Sequence, residues 1–260
     1  MDAYSPKEIA ARVNEFCVVK ARLPLLTLTM LGILAGAFIG LGALYSVIVL
    51  SDPGLGFAAS RVLAGVVFSL GLLLVVVAGA ELFTGNNLLA MAWAQGAVST
   101  REVLHNWVVV CAANFVGAAG LAVLVFLSGH ADAYARTYLE IAAAKAALPF
   151  WAAFFRGVLC NALVCMAIWM TLAGRSVTDK AVAILFPISA FVAAGFEHSV
   201  ANMYLFPLAT LLQAAGGAPL DVSWLWTNLV PVIAGNLVGG SVLVALVYYV
   251  IYRRAPSSSP

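Results

Sequence analysis

The chain has 260 residues, of which 64% are hydrophobic and 9% charged, with a mean hydropathy of +1.04 and a formal net charge of +2 at pH 7. Because soluble domains carry about 25% charged residues, this composition excludes a soluble globular enzyme and predicts a polytopic membrane protein. The four cysteines lack Cys-x-x-Cys spacing, so we expect neither a metal site nor a disulfide framework, and no cofactor. The small net charge gives no reason to expect a nucleic-acid partner.

The first segment, residues 1–22, lacks the apolar core of a signal peptide and predicts an amphipathic helix. Ser5 in the N-cap position, Pro6 in the first turn and Glu8 three residues after Ser5 form a typical helix start. The apolar side chains that share one face are Ile9, Val13, Phe16 and Cys17. Such a helix lies on the membrane surface, and its role as a simple lead-in or as a gate stays open.

Six apolar runs follow, and a transmembrane helix needs about 20 such residues. The runs cover residues 24–50, 59–95, 104–128, 149–173, 181–214 and 224–252. The second and fifth runs are too long for one span and contain polar residues, so we expect each to be a broken helix. The predicted organisation is an all-α membrane protein, with a six-span channel domain at 23–253 and a cytoplasmic tail at 254–260.

The two polar interruptions, here called the first break (residues 79–86) and the second break (residues 195–202), share one frame. Each has Gly, then Glu two residues later, then Asn five residues after the Glu. Ionisable residues are expensive inside a membrane and indicate a functional site. Irregular backbone is tolerated there only inside protein or along a water-filled cavity. The paired breaks therefore predict a pore or carrier.

An internal repeat extends beyond the breaks. Residues 106–117 align without a gap to 228–239, and residues 32–37 align to 157–162. Spans one to three thus repeat as four to six, and three spans per half predict insertion with opposite topology and a site near the midplane. Asn114 and Asn236, which the alignment pairs, could either bond across helix interfaces or line a pore.

The basic residues predict the orientation of the spans. One set of loops contains most of the lysines and arginines, namely Lys7, Arg12, Lys20, Arg22, Arg101, Arg175, Lys180, Arg253 and Arg254. The opposite loops hold mainly Arg136 and Lys145, with Arg61 and Arg156 near span ends. The positive-inside rule therefore places both termini in the cytoplasm.

Within the breaks, His198 is the natural candidate for proton exchange, because its unperturbed pKa of about 6.5 lies near neutrality. A structural histidine is the alternative. Glu81 and Glu197 are expected to hold the broken segments in shape by accepting bonds from freed backbone amides. Thr84 could supply a hydroxyl or cap a helix. The large apolar residues around these groups could form a core or a gate, namely Phe68, Leu72, Leu82, Phe83, Phe191 and Phe196.

Four stretches together resemble the formate/nitrite transporter family over nearly the whole chain. They are Glu-Leu-Phe-Thr (81–84), Cys-Asn-Ala-Leu-Val-Cys-Met-Ala-Ile-Trp-Met (160–170), Phe-Glu-His-Ser-Val-Ala-Asn (196–202) and Gly-Asn-Leu-Val-Gly-Gly (235–240). The resemblance implies an aquaporin-like protomer of six helices, assembled as a homopentamer with one pore per protomer. It also implies bidirectional passage of small monovalent anions, or their conjugate acids, across a bacterial inner membrane.

The resemblance assigns roles to individual residues. Thr84 matches the threonine of the loop that breaks span two, and His198 matches the central histidine that it faces. Asn161 and Asn202 match polar residues near that histidine, and Lys145 matches a basic residue of the periplasmic vestibule. The matches to hydrophobic constrictions and apolar lining are Leu72, Leu82, Phe191, Phe68 and Phe83.

These roles suggest that an anion is protonated near His198 and crosses the constriction as a neutral acid, because burying a bare anion costs far more. Residues 169–181 look more like those of formate members of the family than those of nitrite members, and this resemblance implies formate as the substrate. Asn86 and Asn87 depart from the serine-rich continuation associated with formate channels, which leaves nitrite and hydrosulfide open. An aquaporin-like pore for neutral solutes would need Asn-Pro-Ala motifs, which both breaks lack. A membrane-embedded enzyme would need a nucleophile–base pair or metal cluster beside the histidine.

Overall fold

The computed structural model describes residues 3–254, and every regular element in that range is helical. The predicted tail at 254–260 lies outside the described residues except for Arg254. The α-helices are α1 (Pro6–Ala21), α2 (Leu25–Leu50), α3 (Phe57–Leu74), α4 (Leu89–Ala94), α5 (Thr100–Leu127), α6 (Ala135–Ala146), α7 (Phe150–Thr171), α8 (Val177–Ala193), α9 (Ser199–Ala215), α10 (Val230–Leu237) and α11 (Val247–Tyr252).

Five helical stretches are long and apolar enough to cross a membrane. They are Leu25–Leu50, Phe57–Gly79, Thr100–Leu127, Phe150–Thr171 and Leu225–Tyr252. In the last of these, one π-helical stretch precedes α10 and a second joins α10 to α11. The predicted run at 181–214 is instead divided between α8 and α9, of 17 residues each. At a rise of about 1.5 Å per residue, each covers only about 25 Å, which is less than a hydrocarbon core of about 30 Å.

Both breaks begin at a glycine whose backbone has a positive φ, a conformation that other residues rarely adopt. A π-helical turn extends α3 to Gly79, whose φ of +85° turns the chain into an extended segment at Ala80. A 3₁₀ turn at Gly85–Leu88 then leads into α4. In the second break Gly195 has a φ of +70°, and the extended backbone of His198 precedes α9. A side chain at either glycine would strain this left-handed conformation.

Glycines also bring helices α2 and α5, and helix α7 and the π-helical stretch Val238–Leu246 that follows α10, into backbone contact. A Cβ added at Gly117 would overlap the carbonyl oxygen of Ile33, and one at Gly239 would overlap the carbonyl oxygen of Val158. Small residues at membrane-helix interfaces permit this approach. The repeated Asn-x-Val-Gly pattern therefore packs equivalent helix pairs in the two halves of the chain.

Two amphipathic helices, α1 and α6, each end one residue after a lysine. Helix α1 starts as the sequence predicted, with the reciprocal bonds between Ser5 and Glu8 both present. Helix α6 was not predicted, because its alanine-rich sequence lacks the apolar length of a span. The hydroxyls of Tyr138 in α6 and Tyr204 in α9 lie 2.9 Å apart in a buried hydrogen bond, which fixes α6 against α9.

Candidate functional site

The two breaks meet at Thr84 and His198. The Thr84 Oγ1 atom lies 3.2 Å from His198 Nε2, although the two residues are 114 positions apart in the chain. Both side chains are buried, with exposed fractions of 0% and 3%. The interrupted backbone on each side therefore brings a hydroxyl and an imidazole together in the protein interior.

The hydrogen bonds around His198 define its tautomer. The backbone N–H of Ala201, in the first turn of α9, donates to His198 Nδ1 at 3.2 Å. A nitrogen that accepts a bond carries no proton, so we assign the ring proton to Nε2 and a neutral imidazole. Nε2–H then donates to Thr84 Oγ1, which leaves the threonine hydroxyl proton free for another acceptor.

Two phenylalanines enclose the imidazole. The Phe191 ring stacks on His198 with centroids 5.7 Å apart and an interplanar angle of 19°. Phe68 meets both rings edge-on, with its centroid 5.5 Å from Phe191 and 6.5 Å from His198. Phe68, Phe191 and His198 thus form a compact aromatic cluster.

A cavity of about 280 Å³ reaches this cluster from one side and is called the Lys145 cavity. Phe68, Phe191 and His198 form part of its wall. Its charged lining residues are Arg61, Lys145, Arg156 and Glu197. The imidazole therefore borders a cavity whose wall carries more basic than acidic side chains.

A second cavity of about 270 Å³, the Lys20 cavity, is lined by both Leu82 and Gly85 of the first break, on either side of Thr84. Its charged lining residues are Lys20, Glu81 and Lys180. Leu72 and Phe83, which the resemblance placed in the constriction, are 1% and 2% exposed. In the described chain these two line neither cavity.

Matched lysine–glutamate pairs flank the centre. In the first break Glu81 accepts from Lys20 Nζ at 2.5 Å and from Asn86 Nδ2 at 2.8 Å. In the second break Glu197 accepts from Lys145 Nζ at 2.9 Å and from Asn202 Nδ2 at 2.7 Å. The expectation that the glutamates accept from freed backbone amides was wrong, because ammonium and side-chain amide groups occupy the carboxylates.

The freed amides instead bond to Asn114 and Asn236. Asn114 Oδ1 accepts from Phe83 N–H at 2.9 Å, and its Nδ2 donates to the Gly32 and Glu81 carbonyls at 2.7 and 2.9 Å. Asn236 Oδ1 accepts from Ser199 N–H at 2.9 Å, and its Nδ2 donates to the Gly157 and Glu197 carbonyls at 2.9 and 3.0 Å. Of the two interpretations left open, the structure favours helix packing over pore lining.

Sequence reasoning missed three residues of this network, Lys20, Asn106 and Asn228. Asn106 accepts from Asn86 at 2.8 Å and donates to the Lys20 carbonyl at 3.1 Å. Asn228 accepts from Asn202 at 2.8 Å and donates to the Lys145 carbonyl at 2.9 Å. The repeat contained the necessary pattern, because a lysine stands twelve residues before the first glycine of each aligned run, 32–37 and 157–162.

Asn161 and Asn202 are held by protein atoms. Asn161 Nδ2 donates to the Thr84 carbonyl at 3.1 Å and to Asn87 Oδ1 at 2.7 Å, and Cys165 Sγ donates to the same Thr84 carbonyl at 3.3 Å. Across residues 3–254, neither asparagine is among the lining residues of the two cavities. The amides thus hold Thr84 and Glu197 in position.

The fold and the site together define a class of protein. An all-helical chain with five membrane-length helices, broken segments and a buried polar centre between two cavities is a multi-pass membrane transport protein. A model of the family described as "Formate/nitrite transporter" matches residues 7–250, and the chain belongs to this family. The resemblance seen in the sequence and the expectation that the chain is not an enzyme are both confirmed.

Curated relatives and solved structures agree with this assignment. The chain is 36% identical over 273 residues to the formate channel FocA of Escherichia coli, a match that covers 97% of this chain and 96% of the relative. A structure titled "Pentameric formate channel with formate bound" has a TM-score of 0.80 and 34% identity, covering 88% of this chain and 98% of its own. An "FNT family ion channel" has a TM-score of 0.86 and 30% identity, covering 96% and 99%.

Proposed function

We propose that the chain is a proton-linked channel for small monovalent anions, with formate as its main substrate. The observation that carries this proposal is the buried contact of 3.2 Å between Thr84 Oγ1 and His198 Nε2, where the two breaks meet. It brings two hydrogen-bond donors together at one point beside the Lys145 cavity. A small anion that reaches this point can accept from both the imidazole Nε2–H and the threonine hydroxyl.

The proposed architecture is a 3+3 inverted repeat of six spans, the second and fifth broken, in an aquaporin-like protomer. The matched bonds of Asn114 and Asn236, and of Glu81 and Glu197, support this duplication. The basic residues support a bacterial inner-membrane orientation with both termini in the cytoplasm. Residues 1–22 would then form a cytoplasmic surface helix, 23–253 the channel domain and 254–260 a cytoplasmic tail. The pentameric relative supports a homopentamer.

The transport step that we propose uses His198 as a proton carrier. The imidazole is neutral at rest, with Nδ1 accepting from Ala201 N–H. It therefore acts as an acid only after Nδ1 gives up that bond and takes up a second proton from the Lys145 cavity. The cation then gives one proton to the bound anion, returns to the neutral form and releases a neutral acid. A neutral acid crosses an apolar constriction at a far lower free-energy cost than an anion does.

The remaining residues take supporting roles in this mechanism. Lys145 lines the cavity through which the anion enters and is bonded to Glu197, and Glu81 and Glu197 hold the breaks. Asn161 and Asn202 position Thr84 and Glu197. The apolar constriction that admits only the neutral acid is formed by Phe68, Leu72, Leu82, Phe83 and Phe191. The burial of all five side chains supports this assignment.

The substrate is tested by flux into proteoliposomes that contain the purified protein. We compare formate, nitrite, hydrosulfide and glycerol, because relatives named formate channels support formate while the neighbouring residues leave the other two anions open. Faster flux of formate than of nitrite and hydrosulfide supports the proposal. Preferred flux of nitrite or hydrosulfide would reassign the substrate, and movement of glycerol alone would replace the anion channel with a neutral-solute pore.

The proton-carrier role is tested by His198→Asn and His198→Phe. We expect formate uptake by the unaltered protein to carry one proton per anion, and both variants to lose this coupling because neither side chain titrates. The measurement is internal pH by a trapped dye during formate uptake at several external pH values. His105→Asn, at an exposed position near the start of α5, is the control. Unchanged coupling in the His198 variants would defeat the mechanism.

A further inference from the structure

Two arginines line the Lys145 cavity without an acidic partner among residues 3–254. The cavity wall contains Arg61, Lys145, Arg156 and the carboxylate of Glu197. Glu197 is bonded to Lys145 at 2.9 Å. Within residues 3–254, no salt bridge involves Arg61 or Arg156. The lysine charge is therefore largely neutralised in place, while two guanidinium charges remain for a ligand.

The Arg61 guanidinium is tethered beside the second break. Its Nε–H donates to the carbonyl of Ala193 at 3.2 Å, which leaves the two terminal NH₂ groups for other acceptors. One of them, Nη2, lies only 2.6 Å from where a Cβ at position 195 would stand, so Gly195 gives the guanidinium its space. A fork that is oriented in advance loses less entropy on binding an anion than a free side chain does.

The backbone carbonyl of Arg156 has an equivalent in the first break, the carbonyl of Leu31, but the arginine side chain has none. Its carbonyl accepts from Glu197 N–H at 3.3 Å, as the carbonyl of Leu31 accepts from Glu81 N–H at 3.2 Å in the first break. Leu31 lines the Lys20 cavity as Arg156 lines the Lys145 cavity. Since leucine fulfils the same backbone role, the break does not require an arginine side chain at position 156.

We propose that Arg61 and Arg156 form an entry site for planar monovalent oxyanions, such as a carboxylate or nitrite. The inference rests on the proposed function and extends it to substrate recognition. A guanidinium presents two parallel N–H groups that match two oxygens of such an anion, whereas a single-centre anion such as hydrosulfide gains only the charge. The site binds the anion in the Lys145 cavity and raises its local concentration near His198.

The entry site is one-sided. The Lys20 cavity has Lys180 beyond its Lys20–Glu81 pair, and a lysine is a point charge without a fork. Anions that enter from the Lys145 side therefore meet oxyanion recognition, and those that enter from the Lys20 side do not. Formate flux should saturate at a lower concentration when formate is supplied to the Lys145 side.

The test measures formate flux against concentration in oriented proteoliposomes, with formate supplied to the Lys145 side. For the double variant Arg61→Gln with Arg156→Gln we expect the half-saturating formate concentration to rise about tenfold. A change of this size corresponds to the loss of roughly one charged hydrogen bond. The maximal rate and the proton coupling should not change. Salt should shrink the difference, because the Debye length falls from about 30 Å at 0.01 M to about 3 Å at 1 M.

Further variants separate the fork from the charge. Arg61→Lys should raise the half-saturating concentration of formate and leave that of hydrosulfide unchanged, because lysine keeps the positive charge but lacks the two parallel N–H groups of the guanidinium. Arg136→Gln is the matched control, since Arg136 is 91% exposed and pairs with Glu140 outside the cavity. Arg156→Gln alone keeps the test valid if Arg61 variants fail to assemble, because the Arg156 side chain makes no hydrogen bond in the described chain.

The outcomes distinguish the entry site from the proposed function. A half-saturating concentration that is unchanged in the double variant overturns the entry site. A lower maximal rate with an unchanged half-saturating concentration also overturns it, because that result indicates a structural role. If the unaltered protein moves glycerol and no anion, the proposed function itself fails, whatever the arginine variants do.

Discussion

Asparagine fits the broken helices because one side chain carries both an acceptor and two donors. Asn114 and Asn236 each accept from one freed N–H and donate to two carbonyls. An ionised glutamate has only acceptors and could not bond a carbonyl. Glu81 and Glu197 instead bond the ammonium and amide donors around them. The asparagines therefore bond backbone groups and the glutamates bond side-chain donors, because an amide both donates and accepts whereas a carboxylate only accepts.

Replacing Asn114 or Asn236 by alanine should destabilise the protein to a similar extent. Asn114→Ala leaves Phe83 N–H buried without a partner, and Asn236→Ala does the same to Ser199 N–H. Each loss should cost about 1–3 kcal/mol. The measurement is the melting temperature of the detergent-solubilised protein. The exposed Gln213→Ala, near the end of α9, is the control, and a melting temperature equal to the unaltered protein in either variant contradicts the assigned role.

At the scale of elements, the sequence was sufficient to predict the breaks but not helix α6 or the pairing of Glu81 with Lys20. A glycine and a glutamate in a long apolar run are local features, so they can be recognised in one window. The pairing of Lys20 with Glu81 joins residues 61 positions apart and depends on how α1 docks. Only comparison of the two halves, each with a lysine twelve residues before its glycine, could have predicted it.

The start of helix α1 is held by a cluster of short-range contacts. The guanidinium carbons of Arg12 and Arg175 lie 4.1 and 4.4 Å from the centroid of the Tyr4 ring. Tyr4 N–H donates to the carbonyl of Ala173 at 3.1 Å. Glu8 accepts from both the side-chain hydroxyl and the backbone N–H of Ser5. These contacts tie the beginning of α1 to the loop after α7.

The cap of α1 should weaken in acid. The hydroxyl of Ser5, then its backbone N–H, hold the pKa of the Glu8 carboxyl below its ordinary value of 4.5. A lowered pKa in the folded state means that the stabilisation is complete above 4.5 and is lost as the pH falls through the lowered value. Hydrogen exchange of the first turn of α1 should therefore accelerate below that pH. In Glu8→Gln this acceleration should be absent, and its persistence would assign it to another group.

For the whole molecule, the two halves share their scaffold and differ in their chemistry. When Glu81 is aligned with Glu197, His198 corresponds to Leu82 and Thr84 to Val200. The shared lysine, glutamate and asparagine bonds build two similar breaks. A hydroxyl in one break and an imidazole in the other then meet without being equivalent. The sequence predicts the repeat, but the contact between the non-equivalent residues Thr84 and His198 follows only from the three-dimensional packing.

The proposed inverted repeat would place the Lys145 and Lys20 cavities on opposite sides of the membrane. We therefore expect Arg156→Cys to react with an impermeant thiol reagent from the periplasmic side, and Lys180→Cys to react from the cytoplasmic side. The native cysteines give a low background, because Cys17, Cys160 and Cys165 are buried and Cys111 is partly buried. The unaltered protein controls for this background, and inverted membrane vesicles should exchange the two results.

The labelling result separates the duplicated architecture from its alternatives. Reaction of both variants from one side would contradict the inverted topology, because the two cavities would then open to the same compartment. Reaction of Arg156→Cys from the cytoplasm and of Lys180→Cys from the periplasm would keep the inverted repeat and reverse the orientation of the protein. In that case the guanidinium entry site would serve anions that leave the cytoplasm, since its direction of action follows from the side on which the Lys145 cavity opens.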